Sequence, residues 1–259
     1  MTPFFNILID LICNILDNII NYLSMAAEIY HILNRGVDKR KIFLDKQDYF
    51  RFIHDLFEFN DQNLANTASY HFQQMNKNSV IESRYISGRK ERRRPRKLLV
   101  DIHTFCLMPN HYHLILSPKI ANGISRFMQK LNMGYSRYFN ERYKRKGTLF
   151  EGRYKSIFIE DEAHFYHLPY YIHFNPLDLK FPEWREGKLR GYKEALKFLY
   201  DYRWSSHLDY LGKKNFPSVT QRDFLLKVFG GVEKYERSIK QYLKNLNLEN
   251  IEDIILEEN

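Results

Sequence analysis

The run 107–116, Leu-Met-Pro-Asn-His-Tyr-His-Leu-Ile-Leu, constrains the fold more than any other stretch of the chain. Pro109-Asn110 reads as a tight turn between two apolar segments, 98–108 and 111–117, each with the length and composition of a strand. Two strands joined by so short a turn must pair as an antiparallel hairpin. Side chains alternate along a strand, so His111 and His113 share one face while Tyr112 and Leu114 take the other. Two imidazoles fixed side by side are how a protein begins a divalent-metal site.

The neighbouring segments supply a sheet for this hairpin. Residues 29–33 read as an earlier strand, ended by Asn34-Arg35-Gly36. A helix is expected over 45–59, where Phe50, Ile53, Leu56 and Phe57 recur at three- and four-residue spacing. A second, longer helix is expected over 122–144, with Ile124, Phe127, Met128, Leu131, Tyr135, Tyr138 and Phe139 on its apolar side. Residues 153–160 alternate as a fourth strand. The order β-α-β-β-α-β predicts an α+β fold, a ferredoxin-like sandwich with an antiparallel sheet and helices on one face. Its first and third strands are central, which places the two histidines mid-sheet.

Beyond the sandwich, 161–174 reads as a helix with Asp161 as N-cap and Asn175-Pro176 as its stop. Pro169 inside it is expected to cost a backbone hydrogen bond and to kink it. Helices are expected at 194–211, around Trp204-Ser205-Ser206, and at 221–229 and 232–246, with Gly230-Gly231 as the break. This organisation divides the chain into an extension at 1–27, a main domain at 28–180 with an insertion at 60–97, and a helical appendage at 181–259. The extension is apolar, with Asn6, Asp10, Asn14, Asp17, Asn18 and Asn21 mostly three or four apart, an amphipathic helix rather than a membrane span or signal peptide. Met25 is an alternative start of translation.

The chain of 259 residues carries a net charge of +9, which points to a polyanionic partner, nucleic acid before membrane. Residues 89–97 hold seven basic residues and one acid, most of that excess. Arg92, Arg93, Arg94, Arg96 and Lys97 are therefore candidate phosphate contacts, as are Arg153 and Lys155. The two cysteines, Cys13 and Cys106, have no metal-ligand spacing and fit a reducing cytoplasm rather than a disulfide scaffold.

On the helix after the fourth strand, His164, His167, Tyr171 and Asn175 follow one another by three, four and four and form one stripe. Tyr170 and His173 point elsewhere. If the stripe faces the sheet, Asn175 could add a carbonyl oxygen to the two imidazoles, with Tyr171 one turn away. His164 and His167 read as packing residues around the site. Two imidazoles and an amide oxygen leave positions for water and phosphate oxygens, a set that suits Mg²⁺ or Mn²⁺. A tyrosine beside such an ion suits transesterification of a phosphodiester, although a phenol with a pKa of about 10 needs positive charge or a base nearby.

At these residues the chain resembles the single-tyrosine HUH transposases of bacterial insertion sequences, and most closely the REP-associated tyrosine transposases. The resemblance rests on Asn34-Arg35-Gly36, Cys106-Leu-Met-Pro-Asn-His-Tyr-His113, Gly152-Arg-Tyr-Lys-Ser156, Tyr171-Ile-His-Phe-Asn-Pro176 and Trp204-Ser-Ser206, and it covers about 28–211. It implies that His111 and His113 are the metal ligands, that Tyr171 is the nucleophile and that Asn175 completes the site. It further implies cleavage of single-stranded DNA near imperfect hairpins, through a 5′-phosphotyrosine link. Pro169, the 60–97 insertion and the N-terminal extension depart from the family pattern.

Rival readings of His-x-His meet the spacing less well. A histidine-triad nucleotide hydrolase needs a third histidine at position 115, which is Ile, and a two-histidine phosphoesterase needs paired His-x-Thr motifs. A non-catalytic single-strand-binding module would use the same basic residues. A domesticated nuclease processing repeated hairpins differs from a mobile transposase only in its flanking DNA. The sequence does not separate monomer from homodimer.

Overall fold

The computed structural model describes residues 28–63, 95–160, 162–189 and 191–245. The extension at 1–27 and Arg92, Arg93 and Arg94 of the basic insertion lie outside them. Strands β1 (Tyr30–Arg35), β2 (Val100–Met108), β3 (His111–Pro118) and β4 (Lys155–Phe158) form one antiparallel sheet in the order β2-β3-β1-β4. Helix α1 (Lys46–Glu58) links β1 to β2, and α2 (Gly123–Arg142) links β3 to β4. This is the expected ferredoxin-like arrangement, with β1 and β3 in the centre.

The hairpin turn is only Pro109-Asn110, since Met108 pairs directly with His111. Its carbonyls are anchored from the β1 side. Pro109 O accepts from the amides of Ile42 and Phe43 at 2.8 and 3.1 Å, and Asn110 O accepts from Gly36 at 2.8 Å. A Cβ on Gly36 would lie 2.3 Å from the Arg40 carbonyl oxygen, so the glycine of Asn34-Arg35-Gly36 is required for close approach. Its φ of −64° is ordinary.

One face of the sheet packs on α1 and α2. Ile32, Phe105, Leu107, Tyr112, Leu114 and Leu116 meet Phe52, Leu56, Phe127, Leu131 and Tyr135 in a buried core. Asp45 caps α1 by accepting from the amides of Gln47 and Asp48 at 2.9 and 3.2 Å. Tyr112 donates to Asn132 Oδ1 on α2 at 2.6 Å, which pins the orientation of β3.

The opposite face is not left open, as a one-sided sandwich would leave it. Helices α3 (Glu162–Phe174), α4 (Tyr192–Asp201), α5 (His207–Tyr210), α6 (Asp223–Phe229) and α7 (Val232–Asn245) gather around Ile29, Cys106, Met108 and Ile115 in a second core. The helices expected as an appendage thus cover the sheet. The physical reason lies in Cys106, Met108 and Ile115, apolar side chains of β2 and β3 on that face that need cover of their own.

A single helix over 194–211 does not form. Residues 202–206 instead leave the helix between α4 and α5 and bridge to β2 through Cys106 and Ser205. They satisfy the outer edge of β2. Leu107 N donates to Trp204 O at 2.9 Å, Ser206 N donates to Phe105 O at 2.9 Å, and Tyr202 Oη donates to Leu107 O at 2.6 Å. Further along, Tyr210 Oη donates to His103 O at 2.8 Å, and Gln221 exchanges bonds with Ile102 at 2.7 and 2.8 Å. Pairing an edge strand outweighs continuing a helix when its unpaired amides would otherwise be buried. Helix α3, by contrast, continues unbroken through Pro169.

Candidate phosphoryl-transfer site

Register fixes which side chains meet on the second face. His111 pairs across with Arg35 and Met108, and His113 with Leu33 and Cys106, so these residues share a face with the histidines. Lys155 pairs with Leu33 and joins the same row from β4. The His111 and His113 rings stand perpendicular with centroids 5.0 Å apart. The Tyr171 ring, from α3, lies 6.4 Å from that of His113, also edge-on. Strand and helix, 58 residues apart in sequence, therefore bring both histidines and the tyrosine together.

Both imidazoles are held from behind through Nδ1. His111 Nδ1 lies 2.8 Å from Asn110 Oδ1, and the Asn110 amide is oriented by its Nδ2 donating to Lys39 O at 3.3 Å. A carbonyl oxygen only accepts, so Nδ1 of His111 carries the proton and Nε2 the lone pair. His113 Nδ1 lies 2.9 Å from Nε2 of His31 on β1. Imidazoles with Nδ1 so engaged turn Nε2 to the far side of the ring, the arrangement of metal-ligating histidines, and the pair would suit a divalent ion. Among the described residues no cluster of three or more His, Cys, Asp or Glu could hold a metal.

Asn175 begins the short 3-10 turn Asn175–Leu179 and is fully buried. Its Nδ2 donates to the Tyr171 carbonyl at 3.0 Å, while its Oδ1 accepts from Arg185 Nη2 at 3.2 Å. Arg185 is the residue that sequence reasoning missed. It sits on a second 3-10 turn, Pro182–Glu186, and its Nη1 donates to Tyr171 Oη at 2.8 Å. Asp178 grips the same guanidinium at 2.6 and 2.9 Å. One planar fork thus holds phenol and amide together. The sequence offered no periodic or motif signal for Arg185, which lies ten residues beyond Asn175 in a Pro-Glu-Trp-Arg-Glu-Gly stretch.

Other candidates divide. Arg153 and Lys155 line an open cleft of about 300 Å³ together with Asn34, Arg35, Asn110, Glu151 and His111. Arg35 is paired with Glu151 at 3.0 Å, while Arg153 and Lys155 are exposed. Arg96 stacks on Phe57 at 3.5 Å and donates to its carbonyl at 2.6 Å. With the exposed Lys97 it lies before β2, about 25 Å along the strand from the hairpin turn, and neither joins the cleft.

His167 contacts Tyr242 of α7, and burial, with His164 nearby, holds its pKa below the usual value. Tyr170 lies among Phe229, Tyr235 and Tyr242, where burial pushes its hydroxyl well above the ordinary range. His173 ties α3 to the covered edge of β2, with Nε2 2.8 Å from Ser206 Oγ and Nδ1 2.7 Å from Tyr235 Oη. That bond gives the Trp204-Ser-Ser206 motif its role, since Ser206 also accepts from Phe105 N at 3.0 Å.

Two imidazoles, a phenol and a guanidinium thus meet beside a basic cleft on a ferredoxin-like sheet. Residues 70–175 match the model of the family described as Transposase IS200 like, a segment that includes His111, His113, Tyr171 and Asn175. The matched segment is thus similar to the IS200-like transposases. A solved structure described as "Structure of the REP associates tyrosine transposase bound to a REP hairpin" aligns with 77% of this chain and 87% of that chain, at 13% identity and a TM-score of 0.42. No curated protein matches the chain. Among the described residues no helix is long and apolar enough to cross a membrane.

Proposed function

We propose that the protein is a metal-dependent endonuclease and strand transferase for single-stranded DNA at hairpin-associated sites. The observation that carries this reading is the position of Tyr171, whose ring lies beside His113 while its oxygen is held 2.8 Å from a guanidinium nitrogen. His111, His113 and Asn175 would hold Mg²⁺ or Mn²⁺, which when bound polarises the scissile phosphate. Asn175 Oδ1 accepts from Arg185 with one lone pair, so serving as a ligand would use the other.

Tyr171 Oη attacks phosphorus and loses its proton, the P–O3′ bond breaks, and a 3′-OH leaves. The strand remains as a 5′-phosphotyrosine, and attack by a 3′-OH reverses the step and rejoins DNA. Arg185 meets the need of the phenol for positive charge, because a guanidinium donating to its oxygen stabilises the charge left by the proton. Tyr171 is 1% exposed, with Trp184 and Arg185 against its ring, so a strand reaches it only when residues that cover it move. Arg153 and Lys155 would grip the strand backbone along the cleft.

The test incubates the protein with labelled, hairpin-bearing single strands and Mn²⁺ and resolves covalent adducts on a denaturing gel. Tyr171→Phe is expected to abolish the adduct while DNA binding survives. An adduct that persists in Tyr171→Phe and disappears in Tyr170→Phe would move the nucleophile by one residue. Hairpin binding with no adduct in the parent protein would make the domain a binding module.

A further inference from the structure

The His31–His113 contact has a consequence beyond packing. His31 and His113 are 1% and 0% exposed, their rings lie nearly parallel at 20°, and one nitrogen of each faces the other at 2.9 Å. Between two neutral imidazoles such a contact needs one N–H and one lone pair, which permits only two arrangements. If His31 donates, His113 accepts at Nδ1 and carries its proton on Nε2, where it cannot bind a metal. If His113 donates from Nδ1, its Nε2 keeps the lone pair. His111 is already in the second form, because Asn110 Oδ1 can only accept.

We propose that His31 is a positioning residue that accepts the Nδ1–H of His113 and so holds Nε2 of His113 as the metal-facing nitrogen. His31 suits the task mechanically. It sits on central strand β1, hydrogen-bonded to β3 on one side and β4 on the other, and cannot follow a loop motion. Its Nε2 is committed to His113, so it supports the site without being a third ligand through that atom. Such an outer partner fixes tautomer and ring direction together, and its loss usually costs 10- to 100-fold in metal affinity. The inference rests on the metal-site reading above, but part of its test does not depend on that reading.

Nitrogen-15 NMR of the histidine rings in the metal-free protein reads the tautomer directly. The parent is expected to show His113 protonated at Nδ1. His31→Phe keeps an aromatic ring but removes the acceptor, and His113 should then shift toward the Nε2–H form. His31→Gln, whose amide oxygen can accept, should restore the Nδ1–H form. Mn²⁺ titration followed by electron paramagnetic resonance should show about 10- to 100-fold weaker binding in His31→Phe and recovery to within a few-fold in His31→Gln. A parent His113 protonated at Nε2 overturns the proposal, as does an unchanged tautomer or an unchanged Mn²⁺ affinity in folded His31→Phe. If the parent binds no Mn²⁺, the metal reading fails, and the NMR arm alone still decides what His31 does.

Discussion

Two buried histidines outside the site give the most quantitative expectation. His103 on β2 is 2% exposed and bonded to Ser117 Oγ at 2.9 Å; burial holds its pKa down at about 4. His207, on α5, is fully buried against Tyr235 Oη at 2.8 Å, and burial, with Lys213 adding to it, holds it at about 3. Unfolded, both titrate near 6.5. Below pH 6.5 the unfolded chain therefore binds more protons, and stability falls as pH drops toward the folded values, with little change above neutrality. Between pH 7 and pH 5 each histidine should lower the unfolding free energy by about 2 kcal/mol, or about 4 kcal/mol for the two treated as independent. His173, also lowered by burial, acts in the same direction. The assay is urea unfolding at pH 7, 6 and 5, followed by the fluorescence of Trp184 and Trp204, in the parent and in a His103→Gln/His207→Gln variant. Carboxylate titrations common to both proteins cancel in the difference between their pH dependences. The parent should lose about 4 kcal/mol more than the double variant across this range. Equal losses, or a ring proton of His103 or His207 titrating near pH 6.5 in the folded parent, would refute the reasoning.

Other expectations concern the site and its supports. Arg185→Gln should slow adduct formation by about 10²- to 10³-fold while hairpin binding persists, measured by single-turnover cleavage; an unchanged rate would make Arg185 a packing residue. Replacing Arg153 and Lys155 together by Gln should reduce the slope of log affinity against log salt by about 2, one for each phosphate no longer neutralised, and an unchanged slope would remove the cleft from the DNA path. Gly123→Ala places a Cβ 2.2 Å from the Leu99 carbonyl oxygen at the start of α2. It should lower stability by about 1–3 kcal/mol in urea melts, without altering cleavage by the folded fraction.

The strands and the two sandwich helices were legible because their patterns are local. An alternation of two or a spacing of three and four is written in consecutive residues and requires no knowledge of what packs on them. The two-residue turn at Pro109-Asn110 carried further, since it commits β2 and β3 to one register and the two histidines to one face. Tyr171 and Asn175 followed from helical spacing joined to family resemblance.

What the chain pairs with at long range was not written in that way. Residues 202–206 belong to helical surroundings until the open edge of β2 claims their backbone groups. The helices beyond α3 looked like an appendage because nothing local says which face of a sheet a later segment will cover. Arg185 reaches Tyr171 only because two 3-10 turns reverse the chain between them, and His31 meets His113 only through the pairing of β1 with β3. The sequence alone therefore determined the elements of the sandwich, their order and the face that carries the two histidines. The tertiary structure decided what stands behind the histidines, what holds the phenol and what closes the second face, because those contacts join residues whose separation in sequence carries no periodic signal.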